Sequence, residues 1–536
     1  MTKQRTGLFI LVLIMAGAIV SCDTSGLTDA VDDFKVVIGL DPINTTSTVL
    51  LTDANSGELV NASVSVDFAG QNGSDIIDIY SDPVDSDEVG DGILNFGIDN
   101  SVTPSEDSPA KVTLNLEADG YVGTSKTVSI TSLGSNEFSV KLIKESSKPQ
   151  GVTSATNTEG STDDSGTVEN SFTAEVSGST NDGGSAAIEV ESGTRFKDTD
   201  GNVLTGQLTS EVSYFDPNEA SALSAIPTDL TDENGNPITV LGGSLTSIKD
   251  ANGHVAATVE ASAKSTGAAG SFKQRYTLPE GQLKGGTTPY EAGDKIGLFV
   301  LYGDYTGNNF ERVLQEDDEG NLFVEFVLSK MPHIALLKDL SAQYCTSIVS
   351  IKRSGNEGNV NIEVFAKGFF SQTTIKSGET NGAMVVPRSL ETRFRAWAAN
   401  SPVVTITKSN VCTNPLGTIE LPAPSAPVIN ATVNVSLKCQ NPDEGVSVTD
   451  IPGASVIYRK SDAPEGSTWY VATNLSWEFD EANQELSGGS FNVQDVEQGT
   501  TYTFQISYDG NTYAREVTIS GTSVDYTETI EEDICG

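Results

Sequence analysis

Short runs of alternating apolar and polar residues, each closed by Gly, Asn or Asp, recur along most of this 536-residue chain. Ala62-Ser63-Val64-Ser65-Val66-Asp67-Phe68 alternates with period two, as do Val112-Thr113-Leu114-Asn115-Leu116, Phe138-Ser139-Val140-Lys141-Leu142, Val360-Asn361-Ile362-Glu363-Val364 and Val433-Asn434-Val435-Ser436-Leu437. A strand places successive side chains on opposite faces, so each run predicts a strand with one face toward a core. Near the C-terminus Tyr502, Phe504, Ile506 and Tyr508 share a face; Asp509-Gly510-Asn511 then turns the chain, and Tyr513, Val517 and Ile519 follow. That is the clearest hairpin. Long amphipathic helical patterns are scarce. One short helix is predicted over Ala220 to Ala225, with Asp216 as N-cap, Pro217 at the first helical position, Glu219 three residues after the cap, and Pro227 as the stop. The expected fold class is all-β: several antiparallel β-sandwich domains of Ig-like or transthyretin-like type in tandem, with a short helix in the second.

Composition shifts divide the chain. Residues 1–21 are a leader and 22–33 a small, polar, acidic tether. Residues 34–144 form a first sandwich, and 145–171, which have almost no large apolar side chain, a linker. A larger β domain spans 172–342, and two further sandwiches span 345–421 and 431–536, separated by the stiff joint of Pro422, Pro424 and Pro427. Four turns punctuate the second domain: Asp198-Thr199-Asp200-Gly201-Asn202, Asp232-Glu233-Asn234-Gly235-Asn236, Asp250-Ala251-Asn252-Gly253-His254 and Asp317-Asp318-Glu319-Gly320-Asn321. In each, Gly supplies a positive φ and the leading Asp can accept backbone amides, which suits hairpin ends. The last is expected to join Phe310–Leu314 to Leu322–Val327.

The leader has a positive start (Lys3, Arg5), an apolar run from Leu8 to Val20, and the ending Ile19-Val20-Ser21-Cys22. The run is short for a membrane span. Its ending resembles the lipobox of bacterial lipoproteins, which implies acylation of Cys22, cleavage before it, and a mature protein held by lipid at a membrane. Each buried CH₂ contributes about 0.8 kcal/mol, so several chains anchor durably. In the first domain, Asp53-Ala54-Asn55-Ser56-Gly57-Glu58-Leu59-Val60-Asn61-Ala62-Ser63-Val64 and Ala118-Asp119-Gly120-Tyr121 resemble the carboxypeptidase-regulatory or transthyretin-like modules of secreted bacterial proteins. That resemblance implies a sandwich fold and no particular activity. Pro452-Gly453-Ala454-Ser455-Val456-Ile457-Tyr458 echoes the signature. Val203-Leu204-Thr205-Gly206 with Val212-Ser213-Tyr214-Phe215-Asp216-Pro217 resembles an extracellular module of cartilage intermediate layer protein and brings no catalytic motif.

Charge narrows the partners. The 74 acidic residues outweigh 31 basic ones, a formal net charge of −43. Such a polyanion is repelled by nucleic acid and by anionic headgroups. Solubility in a salty medium and an extracellular habit account for the surplus, with divalent-cation binding as the sharper alternative. The candidate calcium ligands are Asp85, Asp87 and Asp91, within Asp82-Pro83-Val84-Asp85-Ser86-Asp87-Glu88-Val89-Gly90-Asp91, but no run has the order of an EF-hand loop. Apart from calcium, no cofactor is expected.

Five cysteines divide into Cys22 and a C-terminal group of Cys345, Cys412, Cys439 and Cys535. Four cysteines allow three pairings. Cys345–Cys412 with Cys439–Cys535 is preferred because each bond then encloses one domain-sized segment. Zinc is the rival, but no pair has Cys-x-x-Cys spacing and the histidines are His254 and His333 alone.

Motifs for catalysis are missing: there is no Gly-x-Ser-x-Gly, His-Glu-x-x-His or phosphate-binding loop. Ser108-Pro109-Ala110-Lys111 matches Ser-x-x-Lys only formally, since it carries Pro and leads into a strand. His254 and His333 read as structural. Trp397, Trp469 and Trp477 lie in the last two domains, where exposure would suggest sugar binding and burial a core role. The expected protein is non-enzymatic, lipid-anchored in the bacterial cell envelope, at the outer membrane or cell surface rather than the inner membrane. Its expected role is structural, adhesive or scaffolding, with the membrane and other envelope proteins or glycans as partners. The alternative is a carbohydrate-binding or polymer-processing surface lipoprotein that uses the Trp-bearing domains.

Overall fold

A computed structural model describes residues 43–530 apart from 78–88, 90, 180–182, 233–235, 262–271, 356–357, 425, 440–454, 465, 481–484 and 509–510. Nearly every element is a strand, and the described strands form β-sandwich modules.

In the first module a four-stranded sheet runs in the order Ile76–Ile77, Ile93–Ile98, Thr45–Asp53, Gly134–Leu142. A three-stranded sheet (Val64–Ala69, Ala110–Ala118, Thr124–Ile130) packs against it. Alternation decides the faces: Val112, Leu114 and Leu116 are buried between the sheets, while Thr113 and Asn115 point outward to Thr127 and Ser125. Antiparallel pairing was expected throughout, but Thr45–Asp53 pairs in parallel with Gly134–Leu142. The last strand of the module thus returns beside the first.

The same wiring recurs twice. In the third module, Tyr344–Lys352 lies antiparallel to Asn381–Pro387 and parallel to the closing strand Gly417–Glu420. In the fourth, Val428–Cys439 lies antiparallel to Glu485–Glu497 and parallel to the closing strand Ser523–Ile530. The predicted hairpin forms as Thr501–Tyr508 against Asn511–Thr518, with Tyr502 and Phe504 buried. Ser455–Lys460, which carries the sequence echo, occupies the second-strand position that Val64–Ala69 holds in the first module. The described strand order explains the echo: the same strand is needed at the same place.

The second module is larger. Its six-stranded sheet runs Gly307–Val313, Lys295–Tyr302, Pro332–Lys338, Val240–Asp250, Leu208–Phe215, Val152–Asn157. A five-stranded sheet faces it: Gln315–Glu316, Leu322–Leu328, Phe272–Thr277, Ser185–Val190, Phe172–Ser177. Three expectations are corrected here. Residues 145–171 are no plain linker, because Val152–Asn157 is an edge strand and Val168 joins the core. Small residues serve there for close approach: a Cβ on Gly160 would lie 2.6 Å from the Phe172 ring. The Asp317 turn joins Gln315–Glu316, not Phe310–Leu314, to Leu322–Leu328, because the chain crosses between sheets at the buried Leu314. The helix is Ala220–Ser224, beginning after Glu219 with no side-chain cap; Asp216 instead accepts the Asn218 amide at 2.9 Å in the turn before it.

The turn aspartates hold their own loops. Asp198 Oδ1 accepts the Asn202 amide at 2.7 Å, Asp232 Oδ1 that of Asn236 at 2.8 Å, and Asp317 Oδ1 those of Glu319 and Asn321 at 3.1 and 2.9 Å. Hydrogen bonds from Asn202 hold Asp198 below the usual carboxylate range.

Cys345 and Cys412 form a disulfide across 67 residues, as preferred from the sequence. The pairing of Cys439 with Cys535, like Cys22, Asp85 and Asp87, falls outside the described side chains. Asp91 is described, exposed and at φ 44°. Among the described residues, no group of three or more His, Cys, Asp or Glu is arranged to hold a metal ion, and no helix is long and apolar enough to cross a membrane.

Candidate functional site

The modules are welded rather than strung. A shared apolar cluster draws Ile143 from the end of the first module, Phe215, Leu223 and Leu336 from the second, and Phe365 and Phe370 from the third. Backbone bonds reinforce it: Val240 N to Gly368 O at 2.7 Å, Gly368 N to Pro217 O at 2.7 Å, and Ser125 N to Pro227 O at 3.0 Å. The fourth module docks back onto the first. Arg459 Nη1 donates to both Glu58 oxygens, at 2.9 and 3.0 Å, and the Gly466 amide donates to Oε1 at 2.6 Å. Burial pushes the Glu58 carboxyl up, but the Arg459 and Gly466 donors outweigh it and leave it below the ordinary value. Beside this clamp, Leu50 and Ile93 of the first module pack on Ile457 and Trp469 of the fourth, and the Arg459 guanidinium lies 4.3 Å from the Trp469 ring. Gly466 sits at φ 79°, and a Cβ there would collide with the Ser56 carbonyl oxygen, so a side chain would both strain the backbone and push the modules apart.

Trp469 is therefore interface core, only 5 % exposed, and presents no flat face to a sugar. Trp397 is half-buried on the outer face of Thr392–Ala398, next to the Arg395 guanidinium. The Trp477 side chain is outside the described set. The aromatic strip on which the alternative reading depended does not form at Trp469.

A different concavity is present. Between the first and second modules lies a groove of about 560 Å³. Ser63, Ser65, Glu117, Asp119 and Tyr121 line its first-module wall; Glu211, Ser213, Ser247, Lys249 and Tyr305 line the opposite wall. Strand periodicity explains this. Glu211 and Ser247 are cross-strand partners, and Ser213 lies two residues along from Glu211, on the face of the six-stranded sheet opposite the buried Val212. Glu145 and Lys148, from the stretch read as linker, close one end. Lys148 pairs with Glu211 at 3.3 Å, and Lys249 reaches Glu145 at 4.0 Å.

No protein-family profile matches the chain, and no curated protein matches it. Among solved structures it is similar, at 10 % identity, to a Bacteroides thetaiotaomicron protein provisionally described as polysaccharide-binding. The match covers 36 % of this chain and 93 % of that one, with a TM-score of 0.17. It is similar at 10 % identity to the pilus adhesin SpaC of Lactobacillus rhamnosus GG over 70 % of this chain and 51 % of that one, TM-score 0.11. The chicken CNTN1 FN1-FN3 domains match at 10 % identity over 46 % and 94 %, TM-score 0.09. Likenesses this distant carry no argument about function, and the sandwich fold rests on the sheets themselves.

His333 anchors the floor of the groove. Its Nε2 lies 2.7 Å from the Gly123 carbonyl, which can only accept, so Nε2 carries the proton. Burial pushes the imidazole pKa down, against the Gly123 bond and the Glu117 charge, and the ring is neutral with Nδ1 as an acceptor. Tyr305 packs edge-on to it, centroids 6.4 Å apart, and its hydroxyl reaches Leu116 O at 3.4 Å. His333 had read as structural in the sequence, and the Gly123 bond gives it that role. His254 is a turn residue whose Nδ1 lies 3.2 Å from Asp250 Oδ2. The Ser108 backbone amide donates to Ser105 Oγ at 3.1 Å in a tight turn, and Lys111 lies in strand Ala110–Ala118. Sequence reasoning missed Tyr305, Glu211, Lys148 and Lys249. Ser63, Ser65, Asp119, Tyr121 and Ser213 stood in quoted runs, but nothing in them joined the two walls, since partners such as Gly123 and His333 are 210 residues apart.

Proposed function

We propose that this is a non-catalytic, lipid-anchored protein of the bacterial cell envelope, with an adhesive or scaffolding role at the outer membrane or cell surface. The observation that carries the reading is the return contact of the fourth module onto the first through Glu58, Arg459 and Gly466, over 401 residues of sequence. A chain that closes on itself this way transmits force and holds a presented surface in register, which a string of independently hinged modules does not. The Ile19-Val20-Ser21-Cys22 ending supports the anchor, and the acidic surplus supports an extracellular setting. The groove's two lysines are paired with Glu211 and Glu145, which favours binding over proton transfer.

Expression in a host that processes lipoproteins tests the anchor. The chain is expected in the detergent phase on phase separation, and Cys22→Ser is expected to move it to the aqueous phase. Detergent partitioning that survived the substitution would overturn the anchor.

A further inference from the structure

We propose that the groove between the first two modules is a binding site for a neutral, polyhydroxylated ligand, a short stretch of uncharged glycan. The proposal rests on the envelope reading for where such a glycan would be met, and on the groove alone for its chemistry. Its volume of about 560 Å³ lies within the range of small-ligand sites, roughly 300 to 1,000 Å³.

The lining selects among ligands. Four carboxylates, Glu117, Asp119, Glu145 and Glu211, face two ammonium groups, Lys148 and Lys249, so the groove is net acidic within an acidic protein. Phosphates and uronic acids are repelled. Among the described lining residues, Lys148 is paired with Glu211 at 3.3 Å and Lys249 stands 4.0 Å from Glu145, so each cation has an acidic neighbour that competes with an incoming anion. Large aliphatic side chains are few, so an acyl chain or apolar peptide gains little buried area. What remains is hydroxyls and carboxylates on both walls, which can donate to and accept from vicinal diols, with one tyrosine on each wall, Tyr121 and Tyr305. That combination suits a sugar, whose ring has an apolar face and a polar edge.

Backbone strain is the second, independent observation. Tyr305 adopts φ 55°, in the left-handed region where Gly or Asn costs less and a bulky residue is an outlier. The turn it occupies, with Tyr305 N bonded to Tyr302 O and Tyr302 N to Thr306 O, is one that Gly would close without strain. A tyrosine persists there, on the groove wall and against the neutral His333. Strain of this kind concentrates at ligand sites.

The test uses the full chain on an array of neutral and acidic oligosaccharides, followed by calorimetric titration of the strongest neutral binder and, in parallel, of trilysine. Neutral glycans are expected to bind. Ser247→Trp, which fills the groove from its sheet wall, is expected to weaken the titrated sugar by at least about tenfold with an unchanged melting temperature. Tyr305→Phe, which keeps the packing and removes the hydroxyl, is expected to weaken it several-fold. Binding of acidic glycans or trilysine alone, no binding to any neutral glycan, or neutral binding untouched by Ser247→Trp would each overturn the proposal. None of these outcomes depends on detergent partitioning, so the anchor and the groove fail separately.

Discussion

Glu58→Ala should release the fourth module from the first without unfolding either. The Glu58 carboxylate accepts two bonds from Arg459 and one from the Gly466 amide, and about a quarter of each charged side chain remains exposed. Hydrogen bonds to a charged group contribute roughly 1.5 to 3 kcal/mol when buried, whereas exposed ion pairs contribute roughly 0 to 1 kcal/mol. For a clamp between those limits we expect a net loss of about 2 kcal/mol, or roughly thirtyfold in the opening equilibrium. The apolar contact of Leu50, Ile93, Ile457 and Trp469 stays in place, so the modules separate more often rather than permanently. Multidomain unfolding curves blur such an effect, so the assay is amide hydrogen exchange by mass spectrometry. Peptides covering the strands Ser455–Lys460 and Tyr470–Val471 should exchange about thirtyfold faster, while those over Val360–Ala366 in the third module should not change. The pH dependence has a definite sign. Because the folded Glu58 titrates below its ordinary value of 4.5, its contribution is complete above that value and is lost as pH falls through the lower folded one. Wild-type exchange should therefore move toward that of Glu58→Ala as pH is taken progressively below 4.5, after correction for intrinsic rates. Exchange that Glu58→Ala left within twofold of wild type, or that rose equally in the third module, would refute the clamp.

Three further outcomes follow from the described geometry. Replacing Cys345 and Cys412 by Ala reopens a 67-residue loop and should destabilise the third module by about 4 kcal/mol in the chain-entropy model, read by proteolysis of residues 344–421 with and without reductant. Desolvation holds the pKa of the half-buried, neutral His333 below 6.5; its Nε2–H bond to Gly123 survives protonation, but burial disfavours the imidazolium, so its contribution to stability is complete above 6.5 and is lost as pH falls toward the lower folded value; exchange at Thr124–Ile130 should rise on acidification below 6.5, and His333→Gln should remove that step. Calcium and sodium chloride at matched ionic strength should shift the melting temperature to within about a degree of one another, by screening alone; a larger calcium shift abolished by Asp87→Asn would reveal a specific site.

Alternation made the strands legible. Val112, Leu114 and Leu116 could be read as one buried face because a sheet repeats every two residues, and the Tyr502–Tyr508 hairpin for the same reason. Turn chemistry was equally local: Asp198 and Asp317 accept the amides of residues a few positions on. The parallel closing strands were not legible, since nothing within Thr45–Asp53 indicates that Gly134–Leu142 will lie beside it rather than across the sandwich. The stretch 145–171 was misread because large apolar side chains were taken as the mark of packing. Val152–Asn157 is an edge strand, and Gly160 is buried under Phe172 by virtue of having no side chain. The groove was invisible for a third reason. Its walls come from separate modules, and each residue in it is ordinary in its own segment.

The distribution of basic residues connects the charge to the architecture. A chain with 31 basic and 74 acidic residues meets repulsion wherever two of its modules approach. Several of the few cations stand at those approaches. Lys126 donates to Thr228 O at 2.5 Å beside Asp229, Lys141 to Ser224 Oγ at 3.1 Å, and Lys376 to Ser132 Oγ at 2.7 Å. Lys367 reaches Glu280 O at 3.4 Å, and Arg459 holds Glu58. Burial pushes Lys126 and Lys141 below the ordinary lysine value, a penalty that persists because the joints there are closed. Aimed at carbonyls and hydroxyls as well as carboxylates, these ammonium groups hold the modules by directed hydrogen bonds, which salt weakens less than it weakens the long-range repulsion between acidic faces. Added salt should then tighten the body as a whole. In a saline medium the acidic faces are the ones whose self-repulsion is screened, while the cations at the joints remain directed.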